Sequence, residues 1–117
     1  MRKILLADDD LSMVSLLNTL LRMEGYQTVA VDADSDVPAA VRREMPDALL
    51  LDVYLGHQSG LEILDSLRNN GDTHLLSIVM TSGMNLQDEC MRRGADAFLL
   101  KPYMPDELIS VLHQKLA

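Results

Sequence analysis

The sequence predicts a doubly wound α/β domain: one five-stranded parallel sheet, strand order 2-1-3-4-5, with helices on both faces. Three observations lead there. Short apolar runs and stretches of helical periodicity alternate five times along the 117 residues, the pattern of a parallel sheet with right-handed crossover helices. The run "ALLL" at 48–51 is apolar throughout, as a strand covered on both faces must be. Polar residues follow the ends of several apolar runs, and open sheets of this kind bind ligands beyond the carboxyl ends of their strands, where the strand order reverses.

Each element has its own signal. "KILLA" (3–7) reads as the first strand. From Leu11 the pattern turns helical, with Met13, Leu16, Leu17, Leu20 and Leu21 at helical spacing and a stop near Gly25. "QTVAV" (27–31) is the second strand, and "VPAAVRRE" (37–44) a short helix with Pro38 in its first turn. After the third strand at 48–51, "GLEILDSLRN" (60–69) is a helix facing inward through Leu61, Leu64 and Leu67. "SIVMT" (77–81) is the fourth strand, "LQDECMRR" (86–93) a short helix stopped by Gly94, and "AFLL" (97–100) the fifth strand. "PDELISVLHQKL" (105–116) closes the pattern with Leu108, Val111, Leu112 and Leu116 turned inward.

Composition narrows the function. A chain that is 48% hydrophobic builds a real core, so its acids do not belong to a disordered tail. Eighteen acids against ten bases give a net charge of -8, which argues against direct nucleic-acid binding and suits a cation site. One cysteine, Cys90, excludes an internal disulfide and a multi-cysteine metal centre. The apolar run in "MRKILLADDD" is too short for a signal peptide and no run is long enough for a membrane span, so the expectation is a cytoplasmic protein without a membrane partner.

"ILLADDD" (4–10) is the informative stretch. Adjacent carboxylates repel and resist desolvation, yet they stand at the tip of a core strand. In the predicted order, Asp8 and Asp9 end strand 1 and Asp52 ends strand 3, its neighbour. Three carboxylates converging on one crevice call for a hard cation, and oxygen donors with room for water suit Mg²⁺. Asp10 lies at a helix start and reads as an N-cap. Ser82 and Gly83 follow strand 4 and Lys101 follows strand 5. A cation, a lysine and an N–H beside glycine suit a phosphoryl group, and Asp52, with no histidine base nearby, could be the nucleophile of an aspartyl-phosphate.

These residues, together with "PDALLLDVYL", "IVMTSG" and "GADAFLLKPY", make the whole chain resemble the receiver domains of two-component response regulators, a flavodoxin-like fold. The resemblance implies a phosphorylation-dependent signalling switch rather than a metabolic enzyme. Asp52 matches the phosphoacceptor, which takes its phosphoryl group from a phosphohistidine of a sensor histidine kinase or phosphotransfer protein. Asp9 matches the direct Mg²⁺ ligand, Asp8 the acid that works largely through metal-bound water, and Tyr54 the position whose backbone carbonyl completes the metal site. Lys101 matches the lysine that pairs with Asp52 and then with the phosphoryl, and Pro102 the proline of a cis bond. Phe98 matches the switch aromatic. "MTSG" offers both Thr81 and Ser82 as the hydroxyl that moves onto the phosphoryl; they point to opposite faces of a strand, and spacing from Asp52 favours Ser82, with Gly83 beside the phosphate.

The resemblance also carries departures. The segment from Ser82 to Gly94 is about three residues shorter than is usual in the family, so the fourth helix, part of the usual signalling face with strand 5 and helix 5, is expected to be short or displaced. Gly56 stands where the family often has proline, which predicts a looser loop. Ala97 and "LISV" lack the Asp and Arg with which winged-helix members dimerise. The expected domain spans 1–117 with no output domain, and the downstream partner is unassigned. Other classes fit less well. Aspartyl phosphatases need a second Asp two residues after the nucleophile, where Tyr54 stands; a flavin carrier needs a phosphate loop where "ADDDLS" is acidic; a degenerate receiver acting only as a protein-binding module needs no complete acid set.

Overall fold

The computed structural model describes residues 1–117. Seven strands and five helices occur in the order β1 (Lys3–Ala7), α1 (Leu11–Met23), β2 (Gln27–Val31), α2 (Val37–Glu44), β3 (Ala48–Asp52), β4 (Tyr54–Leu55), β5 (Gln58–Ser59), α3 (Gly60–Arg68), β6 (Ser77–Ser82), α4 (Gln87–Arg92), β7 (Ala97–Leu100) and α5 (Pro105–Lys115). The main sheet is parallel, with order β2-β1-β3-β6-β7. Because β6 and β7 are the fourth and fifth strands of the sequence reading, this is the predicted 2-1-3-4-5 order.

Strand alternation divides the interior into two layers. Leu5, Leu49, Leu51, Ile78 and Met80 meet α2, α3 and α4 through Val37, Val41, Ile63, Leu64, Leu67 and Cys90. Ile4, Leu6, Leu50, Val79 and Leu99 meet α1 and α5 through Leu17, Leu21, Leu108 and Leu112. The central strand β3 is buried along its whole length, as its unbroken apolar run requires. The helix starts are fixed locally. Asp10, Asp36 and Ser59 are N-caps whose side chains accept from Met13, Ala39 and Glu62 N–H groups, satisfying donors that a helix leaves free.

Several boundaries differ from expectation. Of the leucines at helical spacing in α1, Leu17 and Leu21 are buried while Leu16 is exposed; the inward stripe is narrower than the run of leucines. α4 is only 6 residues long and has no side-chain cap, which agrees with the short connection. The segment expected to be a looser loop is an antiparallel hairpin, with Tyr54 opposite Ser59 and Leu55 opposite Gln58. Its turn begins at Gly56 with φ 58°, a conformation glycine adopts without steric cost and the usual place for it in a two-residue hairpin turn. Gly60 then starts α3 hard against β3: a Cβ there would sit 2.1 Å from the Asp52 carbonyl oxygen.

Candidate functional site

The C-terminal edge of the sheet gathers the residues that the sequence separates. β1 and β3 run side by side, Ala7 opposite Leu51, so Asp8 and Asp9 emerge next to Asp52. One carboxylate oxygen from each of the three lies within 4.8 Å of the others. β7 is the neighbour of β6 on the other side, and Lys101 leaves its end with its N–H donating to the Ser82 carbonyl at 2.8 Å. The Lys101–Pro102 bond is cis.

Lys101 is the electrostatic centre. Its Nζ donates to Asp52 Oδ2 at 2.9 Å and to Asp8 Oδ1 at 3.2 Å. The other Asp52 oxygen accepts from the Tyr54 N–H at 3.1 Å, and Asp8 Oδ1 also accepts from the Asp10 N–H at 2.9 Å. Asp8 Oδ2 lies 3.1 Å from Lys101 Nζ yet is buried without an aligned hydrogen bond. Burial pushes the Asp8 carboxyl above its ordinary range, with the charge of Asp52 adding to the rise, against the lowering effects of the Asp10 N–H and Lys101. Burial works to lower Lys101, but its hydrogen bonds to Asp52 and Asp8 and their charges outweigh it, and its pKa is raised. At neutral pH the ammonium therefore holds two clustered acids together.

Two hydroxyls compete in "MTSG", and the strand separates them. Thr81 is opposite Asp52 and Leu99 and lies on the face that packs against α1 and α5; its Oγ1 is buried without a partner. Ser82 shares the opposite face with Met80 and Phe98, which are themselves cross-strand neighbours. Its Oγ accepts from the Met84 N–H at 3.1 Å. Phe98 is half-buried against the α2–α3–α4 layer. At Gly83 an added Cβ would meet nothing within 4 Å, so packing alone makes no demand for glycine there.

The structure supplies contacts at this edge that residue spacing does not. Gly56 donates its N–H to Asp9 Oδ2 at 3.2 Å across 47 residues; the signal was a glycine at a loop position, but its partner depends on the hairpin. Tyr54 Oη and Met84 Sδ touch at 3.9 Å, joining the exits of β3 and β6. Tyr103 is buried with its hydroxyl unpartnered, and burial with the charges of Asp8, Asp52 and Asp10 pushes the phenol up. The largest cavity, about 450 Å³, lies elsewhere, between Met45, Asp47, Thr73 and Leu76.

Comparison with known proteins agrees with this geometry. The response regulator receiver domain family matches residues 4–113. The chain is 31% identical over 117 residues to the DNA-binding response regulator MtrA of Mycobacterium leprae, covering 98% of this chain and 51% of that protein. It is 36% identical over 113 residues to the transcriptional regulatory protein CpxR of Klebsiella pneumoniae, covering 94% and 47%. It thus spans about half the length of these curated relatives. Among solved structures, the receiver domain of NtrX from Brucella abortus superimposes with a TM-score of 0.84 at 33% identity, covering 97% of both chains. The signal receiver domain of a response regulator from Bermanella marisrubri gives 0.88 at 26%, covering 98% of both. On the family match and the acid, hydroxyl and lysine edge of its sheet, the chain belongs to the response regulator receiver domains, the phosphorylation-based switches of two-component signalling.

Proposed function

We propose that Asp52 accepts a phosphoryl group from the phosphohistidine of a sensor histidine kinase or phosphotransfer protein, in an Mg²⁺-dependent reaction in the cytoplasm. The observation that carries this reading is Asp52 beside Lys101 at 2.9 Å, with Asp8 and Asp9 oxygens within 4.8 Å. As the P–N bond of the donor breaks, a P–O bond to the Asp52 carboxylate forms and the imidazole leaves with the electron pair. Lys101 Nζ, 2.9 Å from Asp52 Oδ2, is placed to pair with the acceptor carboxylate and then to follow the added charge onto the phosphoryl oxygens. Ser82 Oγ and the Gly83 N–H complete the cradle.

The donor set fits Mg²⁺. It offers only oxygens, with Asp9 exposed and Asp8 and Asp52 buried, and Asp8 Oδ2 is a buried acceptor without a hydrogen bond. Asp9, Asp52 and the Tyr54 carbonyl would hold the ion directly and Asp8 through water. Bound there, Mg²⁺ supplies charge neutralisation for the transferring phosphoryl group.

The output side of the proposal is the face formed by α4, β7 and α5. Ser82 and Phe98 share one side of the sheet, so a shift of the Ser82 hydroxyl towards the phosphoryl opens the space into which Phe98 turns. The proteins named above as DNA-binding or transcriptional regulators are about twice as long, and we place the output of this receiver in a further domain or separate protein, with no nucleic-acid contact by the receiver itself. The test is intact mass after treatment with acetyl phosphate and Mg²⁺. One phosphoryl addition is expected, labile to hydroxylamine and absent in Asp52→Ala. A parent that takes up none is a protein-binding module only; an adduct surviving in Asp52→Ala removes Asp52 as sole acceptor.

A further inference from the structure

This inference rests on the metal reading just proposed and adds residues to it. The three clustered acids are not equally constrained. Asp8 and Asp52 are buried, and each is held by Lys101 and by a main-chain N–H. Asp9 is exposed, and no cationic side chain reaches it. A free carboxylate on the surface must give up rotamer freedom to bind an ion in one geometry. Only one group is aimed at it: the Gly56 N–H, at 3.2 Å from Oδ2.

That N–H is held in place by a chain of contacts. Gly56 opens the turn of the β4–β5 hairpin with φ 58° and sits against Ala33, where an added Cβ would come within 2.8 Å of the alanine Cβ. The hairpin is stapled to the loop between β2 and α2 by Gln58, whose Nε2 donates to the Ala33 carbonyl at 2.7 Å and the Ser35 carbonyl at 2.8 Å. The loop is closed by the Asp32 carboxylate, which accepts from the Ser35 hydroxyl at 2.9 Å and the Asp34 N–H at 3.0 Å. The orientation of Asp9 thus depends on a loop that follows a different strand.

We propose that Gly56 and Gln58 are positioning residues of the metal site: the Gly56 N–H fixes Asp9 Oδ2 so that the other oxygen faces the ion, and Gln58 fixes Gly56. A carboxylate that binds a cation through one oxygen can still accept a hydrogen bond on the other, and such outer partners commonly carry about a 10- to 100-fold share of metal affinity. A neutral amide suits this task. It orients the carboxylate without cancelling its charge, whereas the Lys101 ammonium competes with a cation for the oxygens it holds. Because the donor is main chain, proline removes it outright.

The experiment is Mg²⁺ titration of the full chain by calorimetry, with amide NMR spectra and thermal unfolding, for the parent, Gly56→Pro, Gln58→Ala and Asp9→Asn. The expected Mg²⁺ Kd is at least about 10-fold weaker in Gly56→Pro and several-fold weaker in Gln58→Ala. In the metal-free parent the Gly56 amide resonance should lie downfield and move upfield in Asp9→Asn, more than those of Tyr54 or Ser59. A merely structural hairpin lowers the Tm and leaves the Kd alone. If Gly56→Pro does not fold, Gln58→Ala and the Gly56 resonance decide. Folded variants that bind Mg²⁺ as the parent does, or a Gly56 resonance indifferent to Asp9→Asn, overturn the positioning role. A parent that binds no Mg²⁺ overturns the metal reading itself.

Discussion

Removing the Lys101 ammonium while keeping its apolar stem, as in Lys101→Met, tests what holds the acid edge together. Its Nζ lies 2.9 Å from Asp52 and 3.1 Å from Asp8, whose side chains are 7% and 0% exposed. At an effective dielectric of about 20, each attraction is worth roughly 5 kcal/mol, and two carboxylates about 5 Å apart repel by roughly 3 kcal/mol. Desolvation of the ammonium offsets much of the attraction, but leaving a buried charge without its partner typically costs about 3–5 kcal/mol. Lys101 is a quarter exposed, so we expect a loss of about 2–4 kcal/mol at pH 7. The sign of the pH dependence follows from Asp8. Its folded pKa already lies above the ordinary 3.8 and rises further when Lys101 is gone. An acid with a raised folded pKa gains native stability as pH falls through that value, so the deficit should shrink between pH 7 and the ordinary carboxylate range. Urea unfolding followed by circular dichroism, with EDTA present, measures it at each pH. Millimolar Mg²⁺ should then raise the variant's midpoint more than the parent's, because a cation replaces the lost charge. A deficit below about 1 kcal/mol, or one that does not shrink on acidification, refutes this account of the site.

Three further outcomes follow from the same edge. Thr81→Val keeps the shape of a buried side chain and removes an unpartnered hydroxyl, so it should be neutral or stabilising by about 1 kcal/mol and leave phosphorylation intact, while Ser82→Ala slows it; a Thr81→Val protein that loses phosphoryl uptake would reassign the hydroxyl. Tyr103 has a phenol raised by burial, so the unfolded chain ionises first, near 10, and stability is lost as pH climbs above that value. Relative to Tyr103→Phe, the parent should weaken by about 1.4 kcal/mol per pH unit there, and parallel alkaline unfolding curves would exclude it. Phospho-Asp52 should decay slowly, because attacking water must approach in line with the P–O bond past Tyr54 and Met84, which touch at 3.9 Å and offer no carboxylate or carboxamide to orient it. Tyr54→Asn with Met84→Glu should hydrolyse about one to two powers of ten faster, about 1.4 kcal/mol each, and equal decay rates would sink the shielding argument.

Much of this molecule was legible in the order of its residues. Five apolar runs separated by helical stretches can bury their faces only as a parallel sheet between helices, and the apolar "ALLL" run at 48–51 had to be central, since a strand with no polar face needs cover on both sides. Placing β1 beside β3 then made Asp8, Asp9 and Asp52 neighbours, and the N-cap at Asp10 was local chemistry. Other features depended on distances that no spacing encodes. Spacing from Asp52 favoured Ser82 as the hydroxyl of "MTSG", but its sharing a face with Phe98 turned on the register of β6 with β7, where a shift of one residue exchanges the two faces. Leu16 and Leu17 are equally apolar, and only the seating of α1 on the sheet exposes one and buries the other. Tyr103 next to the lysine and proline could have faced either way until α5 closed over it. The hairpin at 54–59, with Gly56 turned onto Asp9 and Gln58 onto the loop after β2, exists because three segments distant in sequence meet. Local propensity decides what a segment can become, and long-range packing decides which of its atoms meet a partner.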